Sequence, residues 1–289
     1  MAGCVPDIRR ALNVKVAVTL QGDDVFLDEL PPPYRQQALE QIRRVAEHVD
    51  AFLVHSRYYA SFMAHYLGID PAKFRLVPLG IDTSDYPPAA AGAVAAGPHE
   101  RLRVGYLARL APEKGLHVLV DAFIRLKQLP HMDATELVVA GWLGKRHQPY
   151  AETQFAKLQA AGLEGSYRYL GTVDRAQKVQ LLAQLHLLSV PTIYPEPKGL
   201  YVLESLAAGV PVVQPNHGAF PELLTATGGG RLVPPQQPEA LALTLHQLLL
   251  DHPTRHQMAT AGRTAVHERY NARAMAEQTL TVLRQLIAQ

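Results

Sequence analysis

Cysteine is almost absent from this chain, whose 289 residues include a single one, Cys4. One thiol excludes an intrachain disulfide and is typical of a reducing compartment, so we expect a cytoplasmic protein. The N-terminal residues also lack the arrangement of a secretory signal. No uninterrupted apolar stretch reaches the ~18 residues of a membrane-spanning helix. Peripheral contact with a membrane stays open.

An excess of charge of either sign is also lacking, since 28 Lys and Arg residues face 26 Asp and Glu residues. No basic run carries interleaved aromatic residues, so nucleic acid is not expected as a partner. The 13 histidines are scattered and lack the spacing typical of zinc ligands. We therefore expect neither a metal nor another cofactor. A hydrophobic fraction of 48% over this length allows a sizeable core and two domains, and leaves the oligomeric state open.

From residue 102 onward, apolar runs of strand length alternate with helical patterns. The runs are residues 102–106, 137–140, 167–170, 186–190, 211–213 and 231–233. This alternation predicts an α/β fold with a parallel sheet, helices on both faces and a ligand site at the carboxyl ends of the strands. The residues that fall just beyond a predicted strand end are Arg109, Gly141, Gly171, Glu196 and Gly218.

Two glutamates, Glu196 and Glu204, flank the junction between a loop rich in proline and glycine and an apolar helix. Backbone amides at the start of such a helix, near Gly199 and Leu200, form a ready site for a phosphate or diphosphate. Ionised carboxylates accept hydrogen bonds, so the glutamates suit hydroxyls of a ribose and a sugar. The combination indicates a nucleotide sugar. The alternative is an ordinary strand-loop-helix unit with solvated glutamates.

A second junction carries two cations, Arg109 and Lys114, between the first strand of this region and the helix that follows. Periodicity predicts the strand before them and the helix after Gly115. Both cations then lie at the carboxyl end of a strand, where they could clamp a diphosphate.

With these motifs, the chain from Lys15 onward resembles the retaining glycosyltransferases of family 4, which share the GT-B fold of two Rossmann-type domains. The resemblance rests on four pieces in the expected order: Gly80 with Asp82, Arg109 with Lys114 and Gly115, Glu196 with Glu204, and Pro211 with the later Gly218 and Glu222.

The resemblance implies transfer of a hexosyl group from a nucleotide diphosphate sugar to an unknown acceptor, with retention. Arg109, Lys114 and Glu196 would be the catalytic residues, the two cations holding the diphosphate and Glu196 lying by the hexose. The remaining donor-binding residues would be Glu204 at the ribose, Gly199 and Leu200 at the phosphates, and Val173 near the base. Two alternatives stay open: a noncatalytic module that binds nucleotide sugars, and an epimerase or phosphorylase on the same fold.

Two positions depart from the family pattern. Gln21 stands where many relatives carry the histidine of a His-Gly pair, and its amide can still hydrogen-bond a sugar hydroxyl. Lys198 stands where relatives commonly place an aromatic residue, and it could contact the donor sugar. The alternatives are that Gln21 merely ends a strand, and that Lys198 is exposed at a loop tip or pairs with Glu196.

The domain organisation follows from the same resemblance. We expect a partial N-terminal, acceptor-side domain at 1–86, a linker at 87–101, a nucleotide-sugar-binding domain at 102–268 and a C-terminal helix within 269–289. In the family the last helix packs back on the N-terminal domain; the alternative is a helix on its own domain. Residues 1–86 hold strands at 14–20, 51–54 and 74–78, about half the sheet of a stand-alone Rossmann-type domain. We therefore expect a piece of a longer protein.

Overall fold

A computed structural model of the chain describes residues 3–86 and 101–288. The described residues form two compact units. The first unit holds the residues up to Gly80, the short segment Glu196–Lys198 and the residues from Tyr270 onward; the second holds the rest. The predicted linker at 87–101 lies outside the described residues except for Arg101.

Strands and helices alternate along most of the chain. Up to Gly80 the elements are α1 (Val5–Ala11), β1 (Ala17–Thr19), α2 (Asp23–Asp28), α3 (Tyr34–Ala46), β2 (Ala51–Val54), α4 (Arg57–Leu67) and β3 (Phe74–Leu76). The second unit contributes β4 (Arg103–Leu107), α5 (Leu116–Leu126), β5 (Glu136–Ala140), α6 (Gln148–Ala160), β6 (Tyr167–Tyr169), α7 (Arg175–Leu182), β7 (Leu187–Leu188), α8 (Leu200–Ala207), β8 (Val212–Pro215), α9 (Phe220–Thr227), β9 (Gly230–Val233), α10 (Pro238–Leu250) and α11 (His252–Arg269). The last helix is α12 (Ala272–Ile287).

The sheet of the first unit has three parallel strands in the order β1-β2-β3. Its central strand is a continuous apolar run, and all four of its residues are buried, as expected for a strand covered on both faces. Helix α4 follows directly, and the Ser56 hydroxyl accepts a hydrogen bond from the Tyr59 amide at 3.1 Å. Ser56 therefore caps helix α4.

The sheet of the second unit has six parallel strands in the order β6-β5-β4-β7-β8-β9. Strand β5 is buried along its whole length. Helix α5 buries seven of its eleven residues, because apolar side chains recur at helical spacing along one face. The carboxyl ends of these strands carry the loops that hold the predicted site residues. The predicted α/β class with two parallel sheets is confirmed.

Strand positions in the second unit agree with the predicted runs within one or two residues, and the two strands that fall furthest short of their predicted lengths are β1 and β7. Strand β1 covers Ala17–Thr19 rather than 14–20, because its partner β2 pairs with it over those residues. Strand β7 covers two residues rather than 186–190, although hydrogen bonds from the amides of His186 and Ser189 to β4 continue beyond it. Helices α1 and α2 were not predicted, since each spans about two turns or fewer of apolar pattern.

Tyr270 and Asn271 separate α11 from α12. The Asn271 side chain accepts a hydrogen bond from the Ala274 amide at 2.8 Å and so begins α12. Helix α12 belongs to the first compact unit, where the Met275 sulfur accepts a hydrogen bond from the Gly80 amide at 3.3 Å. Among the described residues, no helix is both long and apolar enough to cross a membrane.

A buried carboxylate at the start of β5 gives a stability prediction. Glu136 is 4% exposed and receives hydrogen bonds from Arg103 at 3.2 Å and Arg168 at 2.7 Å. We expect Glu136→Gln to lower the free energy of unfolding by about 1–3 kcal/mol, because both guanidinium groups lose their anionic partner. Urea denaturation measures the change. Arg101→Gln is the control, because the Arg101 side chain is more exposed and lies 3.8 Å from the same carboxylate. An equal loss of unfolding free energy in both variants would mean that the bonds from Arg103 and Arg168 to Glu136 do not stabilise the fold.

Candidate functional site

The loop after β4 carries the two predicted cations. It runs through Arg109 into a 3-10 helix over Pro112–Lys114, and Gly115 then joins that turn to α5. Gly115 has a φ of +72°, and an added Cβ would lie 1.8 Å from the Pro191 carbonyl oxygen. Glycine is therefore required where this loop passes the end of the neighbouring strand. This close approach fixes the position of Lys114.

The two cations have different surroundings. The Lys114 ammonium donates to the Tyr194 hydroxyl at 2.8 Å and lies 5.7 Å from the ring centre of Tyr201, in the first turn of α8. The Arg109 guanidinium donates to Glu113 at 3.0 Å, and its side chain is 51% exposed. Lys114 thus lies against the start of α8, whereas Arg109 is held by an acidic neighbour that the sequence did not indicate.

Helix α8 begins at the predicted place, and its N-cap residue has no side chain. That residue is Gly199, with a φ of +68°, and Leu200 is the first helical residue. The first amides of a helix lack intrahelical acceptors, and the helix dipole adds partial positive charge there. The Leu200 amide and the Lys114 ammonium therefore present positive potential at one end of α8, where an anion is favoured.

Glu204 lies one turn further along α8 and has a partner that was not predicted from the sequence. The Lys178 ammonium, from the first turns of α7, contacts a Glu204 carboxylate oxygen at 2.5 Å. The side chains are 23% and 14% exposed. Burial, and then the negative charge of Glu204, raise the pKa of Tyr86 above its ordinary value. The one sequence signal for Lys178 is its place on the helix that follows a strand end.

Loops after three neighbouring strands are joined by backbone hydrogen bonds. The Leu110 amide donates to the Trp142 carbonyl at 2.9 Å, and the Gly141 amide donates to the Gly171 carbonyl at 2.9 Å. Val173 follows in the last of these loops and is half-buried. The predicted base-side residue therefore lies at the same edge of the second sheet as the loop that carries Arg109.

The remaining predicted residues belong to the first unit. Glu196 is 4% exposed, the Pro197 carbonyl accepts from the Ser56 hydroxyl at 2.7 Å, and Lys198 donates to the Gln21 side-chain oxygen at 3.0 Å. Gln21 is thus a partner of Lys198 that was not predicted. Glu196, Gln21 and Lys198 share the first unit, whereas Arg109, Lys114, Gly199, Leu200, Glu204 and Val173 belong to the second.

A buried imidazole lies at the end of β2, close to this segment. His55 Nδ1 lies 2.8 Å from the Val77 carbonyl oxygen, which can only accept, so Nδ1 carries the proton. Burial lowers the pKa of His55; the bond to Val77 opposes that effect and the charge of Lys198 adds to it. The ring is therefore neutral near pH 7, with Nε2 as a buried acceptor that has no partner among the described residues. Within the described part of the chain, no cluster of His, Cys, Asp and Glu could hold a metal ion.

Comparison with known proteins gives family matches over most of the chain. Residues 94–265 match the family described as Glycosyl transferases group 1, and residues 2–85 match Glycosyltransferase Family 4. The chain is 27% identical, over 296 residues, to the GDP-mannose-dependent alpha-(1-6)-phosphatidylinositol monomannoside mannosyltransferase of Mycobacterium tuberculosis, covering 98% of this chain and 73% of that protein. It is 32% identical to the phosphatidyl-myo-inositol mannosyltransferase of Mycobacterium leprae, covering 59% of this chain and 43% of that protein.

Solved structures share the fold. The Anabaena protein Alr3699/HepE, crystallised with UDP and glucose, matches with a TM-score of 0.80 at 22% identity, over 97% of this chain and 74% of that one. Sucrose-phosphate synthase from Thermosynechococcus elongatus matches with a TM-score of 0.79 at 24% identity, over 98% of this chain and 70% of that one. The chain therefore spans from less than half to about three quarters of the length of these relatives.

Proposed function

Because the chain belongs to the glycosyl transferases group 1 family, we propose that it moves a hexosyl group from a nucleotide diphosphate sugar to an acceptor, with retention at the anomeric carbon. One observation carries the proposal: Lys114 lies against the start of α8, and a nearly buried Glu204 follows one turn later. These groups match an anionic diphosphate and the hydroxyls of an adjoining ribose. The relatives named as GDP-mannose-dependent or crystallised with UDP support this substrate class.

The proposed chemistry needs help at the leaving group. The acceptor oxygen forms a bond to the anomeric carbon while the bond from that carbon to the diphosphate breaks, and the acceptor proton passes to the leaving diphosphate. Negative charge grows on the diphosphate, so Lys114, Arg109 and the Leu200 amide would stabilise the transition state. We assign Glu204 to the ribose, Val173 to the edge of the base, and Glu196, Gln21 and Lys198 to the sugar.

Residues 1–86 are assigned to the acceptor side and residues 102–268 to the nucleotide sugar. The second candidate function is a noncatalytic module that binds nucleotide sugars. The small sheet of the first unit, which has three strands among the described residues, favours this candidate. A cytoplasmic location, inferred from the lone cysteine, is retained as part of the proposal.

Calorimetric titration with ADP, GDP, UDP and TDP tests the donor site. At least one should bind with a Kd below about 1 mM, which corresponds to about 4 kcal/mol of binding free energy. Incubation with the matching nucleotide sugars then measures release of the nucleoside diphosphate, with water or a sugar as acceptor. Binding with release supports the enzyme, and binding without release supports the noncatalytic module. If none of the four binds, the donor-site assignment is wrong.

Lys198 gives a test of the sugar side. We expect Lys198→Ala to weaken binding of the nucleotide sugar by about tenfold, since hydrogen bonds to charged groups contribute about 1.5–3 kcal/mol. Binding of the bare nucleoside diphosphate should change by less than about twofold, because its contacts belong to other residues. Titrations with both ligands measure the difference. Lys15→Ala is the control, because Lys15 has the same charge and lies at the opposite end of β1 from Gln21. If Lys198→Ala weakens binding of both ligands equally, Lys198 does not belong to the sugar site.

A further inference from the structure

The contact between Lys178 and Glu204 joins two helices of the second unit at the ligand edge of its sheet. Helix α7 follows β6, and α8 follows the loop after β7. The ammonium and the carboxylate are 2.5 Å apart, and both side chains are largely buried. In a doubly wound sheet, the first turns of helices that follow strand ends surround the ligand. The ion pair is therefore part of the candidate site rather than of the solvated surface.

We propose that Lys178 is a positioning residue that holds the Glu204 carboxylate oriented toward the ribose hydroxyls of the nucleotide. The inference rests on the proposed function and deepens it, because it names what aims Glu204. It assigns Lys178 no contact with the reacting atoms.

The stereochemistry of the carboxylate supports this role. An ionised carboxylate offers about four lone-pair positions on two oxygens. Lys178 takes one position on Oε1 of Glu204, which leaves Oε2 and the rest of Oε1 for a ligand. A ribose presents neighbouring hydroxyls that donate to a carboxylate in this way. Lys178 therefore fixes the Glu204 side chain and leaves its carboxylate able to accept further hydrogen bonds.

Glu204 is largely buried, and a nearby cation stabilises its negative charge. Its side chain is 14% exposed, and a carboxylate removed from water is disfavoured in its charged form unless a cation or hydrogen-bond donors compensate. Without Lys178, the carboxylate would turn toward solvent and away from the ligand.

The start of α7 does not depend on this lysine. Asp174 caps the helix through the Gln177 amide at 2.8 Å, and the Gln177 side chain accepts from the Asp174 amide at 2.9 Å. This reciprocal capping satisfies backbone amides at the start of the helix. Replacing Lys178 should therefore change the orientation of Glu204 without removing the helix on which Lys178 stands.

The test uses Lys178→Met, which keeps the side-chain length and removes the charge, and Lys178→Arg, which keeps the charge. Calorimetry gives the Kd of the nucleoside diphosphate that the wild type binds best, and of its 2′-deoxy and 3′-deoxy counterparts. We expect Lys178→Met to weaken the ribonucleotide by about tenfold and to bring its preference over the deoxynucleotides within about twofold. Lys178→Arg should retain most of the preference.

A double variant separates positioning from a direct contact. If Lys178 acts through Glu204, then Lys178→Met added to Glu204→Gln should weaken binding no further than Glu204→Gln alone. Additive losses, or an unchanged preference for ribose in Lys178→Met, would overturn the inference. If Lys178→Met and Lys178→Gln both fail to fold, the pair is structural and the inference is wrong. If the wild type binds no nucleoside diphosphate, the proposed function fails first, which is a separate outcome.

Discussion

Replacing Lys114 by methionine is expected to lower kcat/KM for the nucleotide sugar by about 100-fold or more, which corresponds to about 3 kcal/mol of transition-state stabilisation. The Lys114 ammonium lies against the start of α8, where the leaving diphosphate is proposed to sit. Negative charge on the leaving group grows as the glycosidic bond breaks. The loss should therefore appear mainly in kcat, with a smaller change in the Kd of the nucleotide sugar.

Steady-state kinetics and calorimetry on the same preparations measure both quantities. Arg125→Ala is the control, because Arg125 lies on the helix that begins next to Lys114 but is half-exposed near the opposite end of that helix. It should retain activity within about twofold, as surface substitutions usually do. A Lys114→Met enzyme that keeps more than about a third of the wild-type kcat/KM would remove Lys114 from the catalytic residues.

Replacing Gly115 by alanine is expected to lower the free energy of unfolding by about 4 kcal/mol or more, among the largest effects of a single substitution. An added Cβ would lie 1.8 Å from the Pro191 carbonyl oxygen and 2.6 Å from its carbon, both of which are backbone atoms. The left-handed conformation adds a further cost for any residue with a side chain. The loop that carries Lys114 and the end of β7 must then move apart.

Gly162→Ala is the matched control for this prediction. Gly162 has a φ of +70°, close to that of Gly115, but an added Cβ would meet none of the described atoms within 4 Å. It should cost about 1 kcal/mol from the backbone conformation alone. Urea denaturation of the two variants separates the clash from the conformational cost. Equal losses would mean that the close approach at Pro191 does not constrain this loop.

The sequence was most informative where a pattern is local. Apolar runs of strand length located the strands of the second sheet along the chain and the loops after them. The periodicity of α5 and the glycine at the start of α8 predicted that Lys114 and Leu200 would each lie at a junction between a loop and a helix. The family resemblance that these motifs indicated is confirmed by the family matches over both halves of the chain.

Pairings between distant residues could not be predicted in this way. Lys178 and Glu204 are 26 residues apart on different helices, and Lys198 and Gln21 are 177 residues apart. Neither contact leaves a local pattern, because each depends on which helices and loops the sheet brings together. The roles of the predicted site residues stay predictions, since their positions alone do not show what binds there.

Strand lengths in the first unit were also hard to predict. The first predicted strand of the chain was a run of seven residues, 14–20, but a strand extends only where a partner offers its backbone groups. Short helices such as α2 carry too little periodicity to distinguish them from a loop. Local sequence therefore predicted the positions of the core strands, whereas the residues at which they end depend on pairing with other strands.

A crystal structure with a bound nucleoside diphosphate tests most directly whether the second unit holds the donor. Diphosphate oxygens are expected within about 2.7–3.2 Å of the Lys114 ammonium and the Leu200 amide, with a ribose hydroxyl at the same distance from Glu204. A nucleotide bound elsewhere in the molecule, or with its ribose turned away from Glu204 and its phosphates away from α8, would contradict the assignment of the donor site.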